Sequence, residues 1–432
     1  MKKIIKKNIY LTMGIGLLLL AGCTSDADVS NANGPQQEQV AVSFSSYMGR
    51  STRAGRSGAM TTDLLKSEGF GVFAYYTEGA DYNGTTKPNF MYNQKVSNPS
   101  GTWTYSPLKY WPNENPTADN QGATGTTQSK ISFFAYAPFV GNETTGVLTT
   151  PGTVGITAIT PSASDTGDPQ ITYTLSNDVN QNVDLLWGTV ANDATTWENV
   201  SGTQTLTAGG TFQNLLKPKT GQKISFSFKH ALAVLDDIKI IADVDNNGDI
   251  RGGTVDANTK IGVEAISVNC GTVHNTGTFN LRTGGWTPGS DTPTGITYDI
   301  TSSNMDDAIK DVGATSWAAL PAAFTGVPTD AAISVFHSGF TAKHFFMPSP
   351  TVSWTVKITY YVMTKDDHLA GGWTRVRQSL QKTLTLAGGL EKNKKYTLTI
   401  HLGLTSAKFT ATVADWETTG TDEEMDLPIN VN

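Results

Sequence analysis

Charge is scarce in this sequence. Asp, Glu, Lys and Arg make up 16% of the 432 residues, and the net charge is −7. About a quarter is usual for soluble proteins. No basic stripe is left to neutralise phosphates, which argues against nucleic acid as a partner. Cysteine is nearly absent, and Cys23 with Cys270 allows at most one disulfide. Histidine is sparse too. His230, His274, His337, His344, His368 and His401 form no H-E-x-x-H pair, and neither G-x-S-x-G nor G-x-x-x-x-G-K-[ST] occurs. Zinc hydrolysis, the nucleophile elbow and the phosphate loop therefore lack their residues. His337 and Ser338 are adjacent, but adjacency does not aim a base at a nucleophile. The sequence points to no enzyme and no cofactor.

Residues 1–22 stand apart from the rest. Lys2, Lys3, Lys6 and Lys7 precede an apolar stretch at 11–20. That stretch is too short for a stop-transfer helix and reads as a signal segment. Leu20-Ala21-Gly22-Cys23 follows and resembles a bacterial lipobox, in which Cys23 becomes the lipidated first residue. Two or three acyl chains on one residue anchor stably. Cys270 is then a lone thiol, read as a small buried hydrophobe. Residues 24–49 contain no Lys or Arg, and Ser25, Asp26 and Asp28 come just after Cys23. This acidic stretch resembles the surface-export signal of lipoproteins in the Bacteroides group, and residues 31–39 read as a flexible tether.

The missing charge is replaced by Thr, Ser, Asn and 43 Gly, a composition suited to strands and turns. Apolar residues alternate with polar ones at Ile224, Phe226 and Phe228. The same holds from Val352 to Val362, from Tyr396 to Leu402 and from Phe409 to Val413. Each window reads as a half-buried strand. Residues 70–76 and 131–136 are denser apolar runs, expected to be buried on both faces. Helix signals are few: a capped start at Ser303-Asn304-Met305-Asp306 leading into Ala308, Ile309 and Val312, and one turn at 62–67. The expectation is an all-β chain of two β-sandwiches in series, with a boundary near 204–219.

Two motifs hint at ligands. Asp243, Asp245, Asn247 and Asp249 alternate around Gly248 as a calcium loop begins. Thr254 at the twelfth position cannot chelate as a carboxylate would, so a hairpin turn is the first reading and a metal site the second. Nine tryptophans suggest a carbohydrate platform. Trp354, Trp187 and Trp111 read as core, as most of the nine do, whereas Trp286 and Trp373, beside Gly pairs, are the two expected to be exposed, with sugar stacking only as a second reading.

The ends carry more information. Val40, Val42, Phe44 and Met48 share one parity, interrupted by Ser46, and read as a first strand. Arg50, Arg53 and Arg56 follow among Gly, Ser and Thr, as in a trypsin-like cleavage site. At the far end, after a polar spacer at 417–424, Met425, Leu427, Ile429 and Val431 alternate with Asp426, Pro428, Asn430 and Asn432. Cutting after the arginines frees residues 40–48 and leaves unpaired backbone and empty apolar pockets. The tail of another molecule offers four apolar knobs to fill them. This is donor-strand complementation, and it builds a head-to-tail filament because the interface is heterologous.

Several stretches resemble the fimbrillin-like pilins of type V pili. They include Val42-Ser43-Phe44 before Thr52-Arg53-Ala54, residues 70–76, Trp103-Thr104-Tyr105-Ser106-Pro107 and Lys109-Tyr110-Trp111-Pro112. Residues 131–138, Asp184-Leu185-Leu186-Trp187, residues 226–233 and Val413-Ala414-Asp415-Trp416 complete the series. The resemblance implies two transthyretin-like sandwiches, lipoprotein export to the outer membrane, and removal of the first strand by an Arg-specific surface protease. It also implies adhesive fimbriae made with other pilin subunits, with a host glycan or protein receptor as target. The cleavage residue carried over is Arg53, with Arg50 and Arg56 as neighbours. A donor-like tail with a removable strand favours a polymerising stalk over a tip or an anchor. The expected layout is signal 1–22, then tether, removable strand and cleavage segment 23–56. An N-terminal sandwich 57–218, a C-terminal sandwich 219–416, and spacer with donor strand 417–432 follow. The alternative is a monomeric surface lipoprotein that binds glycan and uses its tail locally.

The lipobox reading has a direct test. Cys23→Ala is expected to abolish lipid labelling and surface display while the sandwiches still fold; normal display of the variant would refute it.

Overall fold

The computed structural model describes residues 40–48, 59–112, 129–242, 255–271, 273–290, 293, 295–321, 324, 331–403, 407–416 and 425–426. All of them fall in the unit Gln39–Asn432. In chain order the first strands are β1 (Phe44–Met48), β2 (Phe70–Tyr76), β3 (Met91–Val96), β4 (Ile131–Ala137), β5 (Gly155–Thr160) and β6 (Gln170–Thr174). Next come β7 (Leu186–Val190), β8 (Thr196–Asn199), β9 (Gly202–Thr205), β10 (Phe212–Leu215), β11 (Ile224–His230) and β12 (Ala233–Ala242). The second half adds β13 (Thr259–Cys270), β14 (Thr276–Asn280), β15 (Gly285–Pro288), β16 (Ile296–Ile300), β17 (Ile333–Ser334) and β18 (His344–Phe346). It ends with β19 (Val352–Lys365), β20 (Trp373–Leu386), β21 (Lys394–Leu402), β22 (Ala407–Asp415) and β23 (Met425–Asp426). The chain is all-β in class.

The first sheet runs β1-β11-β7-β4-β2-β3, with β10 also on β4. Its central strands are apolar without alternation because both faces are covered. One face (Phe70, Val72, Ile131, Phe133, Phe226, Phe228) packs into a core under β1. The other (Phe73, Tyr75, Phe134, Tyr136) joins the core shared with the second half. A second sheet, β15-β14-β6-β5, takes two strands from each half of the chain. Two more sheets, β17-β12-β21-β22-β23 and β16-β13-β19-β20, hold most of the second half. Their buried faces include Val352, Trp354, Val356, Ile358 and Tyr360 against Tyr396, Leu398, Ile400 and Leu402. β11 is hydrogen-bonded within the first sheet, so the chain crosses to the second half at Ala231 and Leu232.

The turn at 62–67 is a short helix, α1 (Thr62–Glu68). The Thr61 side chain accepts from the Leu64 N–H at its start, and Gly69 closes it at φ 76°, a left-handed conformation that suits glycine. The helix expected from Ser303 onward does not form. Its backbone is engaged by strands on two sides: the Asp306 N–H donates to Val335, the Val263 N–H donates to Ile309, and the Asp311 N–H donates to Val263. Asp306 caps the Ala308 N–H locally. One i to i−4 bond forms, from the Lys310 N–H to Asp306, but turns and bridges satisfy the rest of this backbone instead of a helical ladder.

His344 is buried against Phe336, Phe340 and Tyr298. Burial, helped by the neighbouring Lys343, pushes its pKa down to about 3. The unfolded chain therefore takes up the proton first as pH falls. Stability fully present above roughly pH 6.5 drains away toward pH 3, by up to about 1.4 kcal/mol per pH unit. His344→Phe should flatten that share of the acid limb in denaturant titrations between pH 6 and 4. A wild-type-to-variant difference that does not change with pH would reject this assignment.

Candidate assembly interface

Residues 40–48 lie at the rim of the first sheet but are packed as core. Strand β1 is the terminal strand and runs parallel to β11, with Phe44 beside Ile224 and Met48 beside Phe228. Just upstream the chain changes partner. The Val42 N–H donates to Lys109 at 2.9 Å, and the Trp111 N–H donates to Val40 at 2.9 Å. The Tyr105 hydroxyl donates to the Val42 carbonyl at 2.8 Å. Alternation sends Val40, Val42, Phe44 and Met48 inward, where they are only 8%, 1%, 3% and 4% exposed. The Phe44 ring is enclosed by Tyr105, Phe133, Phe226 and Phe70, with centroids 5.4 to 6.3 Å away.

Each such side chain contributes about 1.5–3 kcal/mol when buried. Four together contribute on the order of 6–12 kcal/mol, an upper estimate because unfolded chains are partly collapsed. That is comparable to the whole net stability of a typical domain, about 5–15 kcal/mol. Losing this strand with nothing in its place would remove a large share of the stability of the first sheet.

At the other end, Met425 and Asp426 pair antiparallel with Val413 and Thr412 of β22. Leu427, Ile429 and Val431 lie outside the described residues. So do Cys23, Arg50, Arg53 and Arg56, and the loop of Asp243, Asp245, Asn247 and Asp249. Among the described residues no group of three or more His, Cys, Asp or Glu could hold a metal ion.

One constellation escapes a reading by sequence pattern. The Asp184 carboxylate lies 2.6 Å from His230 Nδ1 and accepts the Met60 N–H at 3.0 Å. The His230 ring stacks on Trp416, 3.6 Å between centroids and 5° from parallel. Asn393 binds both partners: its side chain accepts from the His230 N–H, and its carbonyl accepts from the Trp416 N–H. This ties Met60, the first sheet and the end of β22 into one knot. Asp184 and His230 are both fully buried, which fits fastening rather than chemistry on a substrate. Asp184, His230 and Trp416 each sit in a different stretch that carries the family resemblance. Their residue types were therefore visible, and only the fold brings them together.

The tryptophans do not form a platform. Trp111, Trp187, Trp197 and Trp354 are buried, and the other five are half-buried. Trp286 corrects the expectation of exposure. Its indole N–H donates to Ala231 at 2.7 Å, and its ring packs on Phe279. Trp373 is half-buried as well. A cleft of about 480 Å³ between α1 and the 138–156 segment is lined by Met60, Leu64, Leu148, Ile156, Tyr173 and Asp184 among others, and by no tryptophan.

Comparison with known proteins places this architecture. The fimbrillin-like family matches residues 52–416. The chain belongs to the fimbrillin-like family. That family consists of fimbrial structural subunits rather than enzymes. The chain is 26% identical to fimbrium subunit Fim1C of Phocaeicola vulgatus, over 98% of each protein. It also shares a fold with a crystallised fimbrial protein from Bacteroides vulgatus, with a TM-score of 0.59 and 20% identity. The match covers 88% of this chain and 100% of that one.

The rim strand can be weighed directly. Phe44→Ala should destabilise the protein by about 3–5 kcal/mol in denaturant titration, as a buried aromatic does. A loss under 1 kcal/mol would show that the strand is not part of the core.

Proposed function

We propose that this fimbrillin-like chain is a polymerising subunit of surface fimbriae. Cys23 anchors the precursor in the outer membrane as a lipoprotein. Arg-specific cleavage at Arg53, or at its neighbours Arg50 and Arg56, detaches residues 40–48 from a transthyretin-like N-terminal sandwich. The tail carrying Met425, Leu427, Ile429 and Val431 then enters the vacated site of another subunit. The observation that carries this reading is the burial of Val40, Val42, Phe44 and Met48 at the rim of the first sheet. A strand there can leave without unthreading the sheet, yet its site cannot stay empty. Fim1C, a fimbrium subunit similar along nearly the whole chain, supports it.

The exchange is close to neutral in apolar burial, since four inward side chains replace four, and proteolysis makes it one-way. A monomeric glycan-binding lipoprotein is the second reading. It draws support from the pairing of Met425 and Asp426 with the chain's own β22, but none of the nine tryptophans is fully exposed for stacking.

Two variants separate the steps. With Arg50, Arg53 and Arg56 all changed to Ala, stable monomeric precursor should accumulate on the surface. With residues 425–432 deleted, cleaved subunits should form no long fibres in electron micrographs. Fibres of normal length from either variant would rule out strand exchange as the assembly route.

A further inference from the structure

We propose that the outer edge of β22 is a docking surface for this chain's own C-terminal segment, with residues 427–431 continuing β23 along β22 within the same molecule. The docking itself stands independently of the fimbrial reading; only its consequence for assembly rests on that reading.

Register is the first argument. Val413 lies opposite Met425 and Thr412 opposite Asp426 in an antiparallel pair. A strand continuing from there meets Ala411 with Leu427, Phe409 with Ile429 and Ala407 with Val431. Directly opposed residues in an antiparallel pair share a face. Ala407, Phe409, Ala411 and Val413 oppose Leu402, Ile400, Leu398 and Tyr396 of β21, all four buried in the core. Their face is therefore the inner one. The register thus assigns the apolar Leu427, Ile429 and Val431 to the inner face and Pro428 and Asn430 to the outer. A slip of one residue would invert this. Proline is tolerated on an edge strand, where a missing N–H need not break the ladder.

The opposing sheet supplies the second argument. On β20, the residues opposite buried Val352, Trp354, Ile358 and Val362 are Leu386, Leu384, Leu380 and Val376, so these four point to the core side. Leu384 and Leu386 are buried, but Leu380 is half-buried and Val376 is 51% exposed. β20 approaches β22 without hydrogen-bonding to it. Val376 and Leu380 therefore leave apolar surface on the core side of β20, beside which a strand added to β22 would find apolar partners. Six residues follow Asp426, enough to run past Ala407. The spacer 417–424 holds the segment near this edge at an effective concentration on the order of millimolar.

The consequence concerns assembly. The same apolar residues that enter a neighbour's vacated site are sheathed in the precursor, so donation requires peeling them from β22. The tail is stored until a better site opens.

Hydrogen exchange on the purified, uncleaved chain tests this at two protein concentrations. The comparison is with a chain ending at Asp426 and with the full-length double variant Leu427→Asp, Ile429→Asp. Amides in the 407–413 peptide should exchange at least tenfold more slowly in the full chain than in either variant, equally at both concentrations. Equal exchange in all three proteins overturns the proposal. Protection that grows with concentration also overturns it, because a second copy then supplies the strand. The uncleaved chain keeps residues 40–48 in place, so this result is independent of strand exchange. Loss of fibres after cleavage tests exchange alone.

Discussion

The first sheet depends on an edge strand that is packed as if it were central. Edge strands are usually short, charged or twisted away, because a rim of free backbone invites pairing. Here the rim carries Phe44 inside a ring of four aromatics, with Val40, Val42 and Met48 in line. Nothing covalent secures it: Cys270 is a free, buried thiol, its pKa pushed up to about 12 by burial. Backbone pairing to β11, the hydrogen bonds of Val40 and Val42, and apolar burial hold the strand instead. A strand at the rim is thus as deeply built into the first sheet as a central one.

The knot of Asp184, His230, Asn393 and Trp416 complements this arrangement. It holds Met60, just before α1, to the base of β11 and to the end of β22. The start of α1, the first sheet and the end of β22 are thus fastened to one another at a single buried point.

Much of this was legible in the sequence, for a physical reason. Period-2 alternation reports which face of a strand meets a core, and it located β11, β19, β21 and β22. The unbroken apolar runs of β2 and β4 reported cover on both faces. Residues 303–312 misled because a capped start and an apolar stripe are local signals, whereas Val263 and Val335 capture that backbone from elsewhere in the chain. Trp286 misled for a similar reason: flanking glycines say nothing about Ala231, which takes its indole N–H. The sheet shared by β5, β6, β14 and β15 was invisible too, since no periodicity records which strand lies beside which.

That shared sheet changes how the subunit bears load. β6 and β14 are paired from Thr174 with Thr276 to Gln170 with Asn280, and the Trp187 indole donates across the halves to Leu281. A chain of independent beads would stretch at its linker under shear flow. Here the two halves are sewn together by backbone ladders and a common core, so tension at the ends meets a single stiff body. The compliance of a fibre made from such units lies in the joints between them.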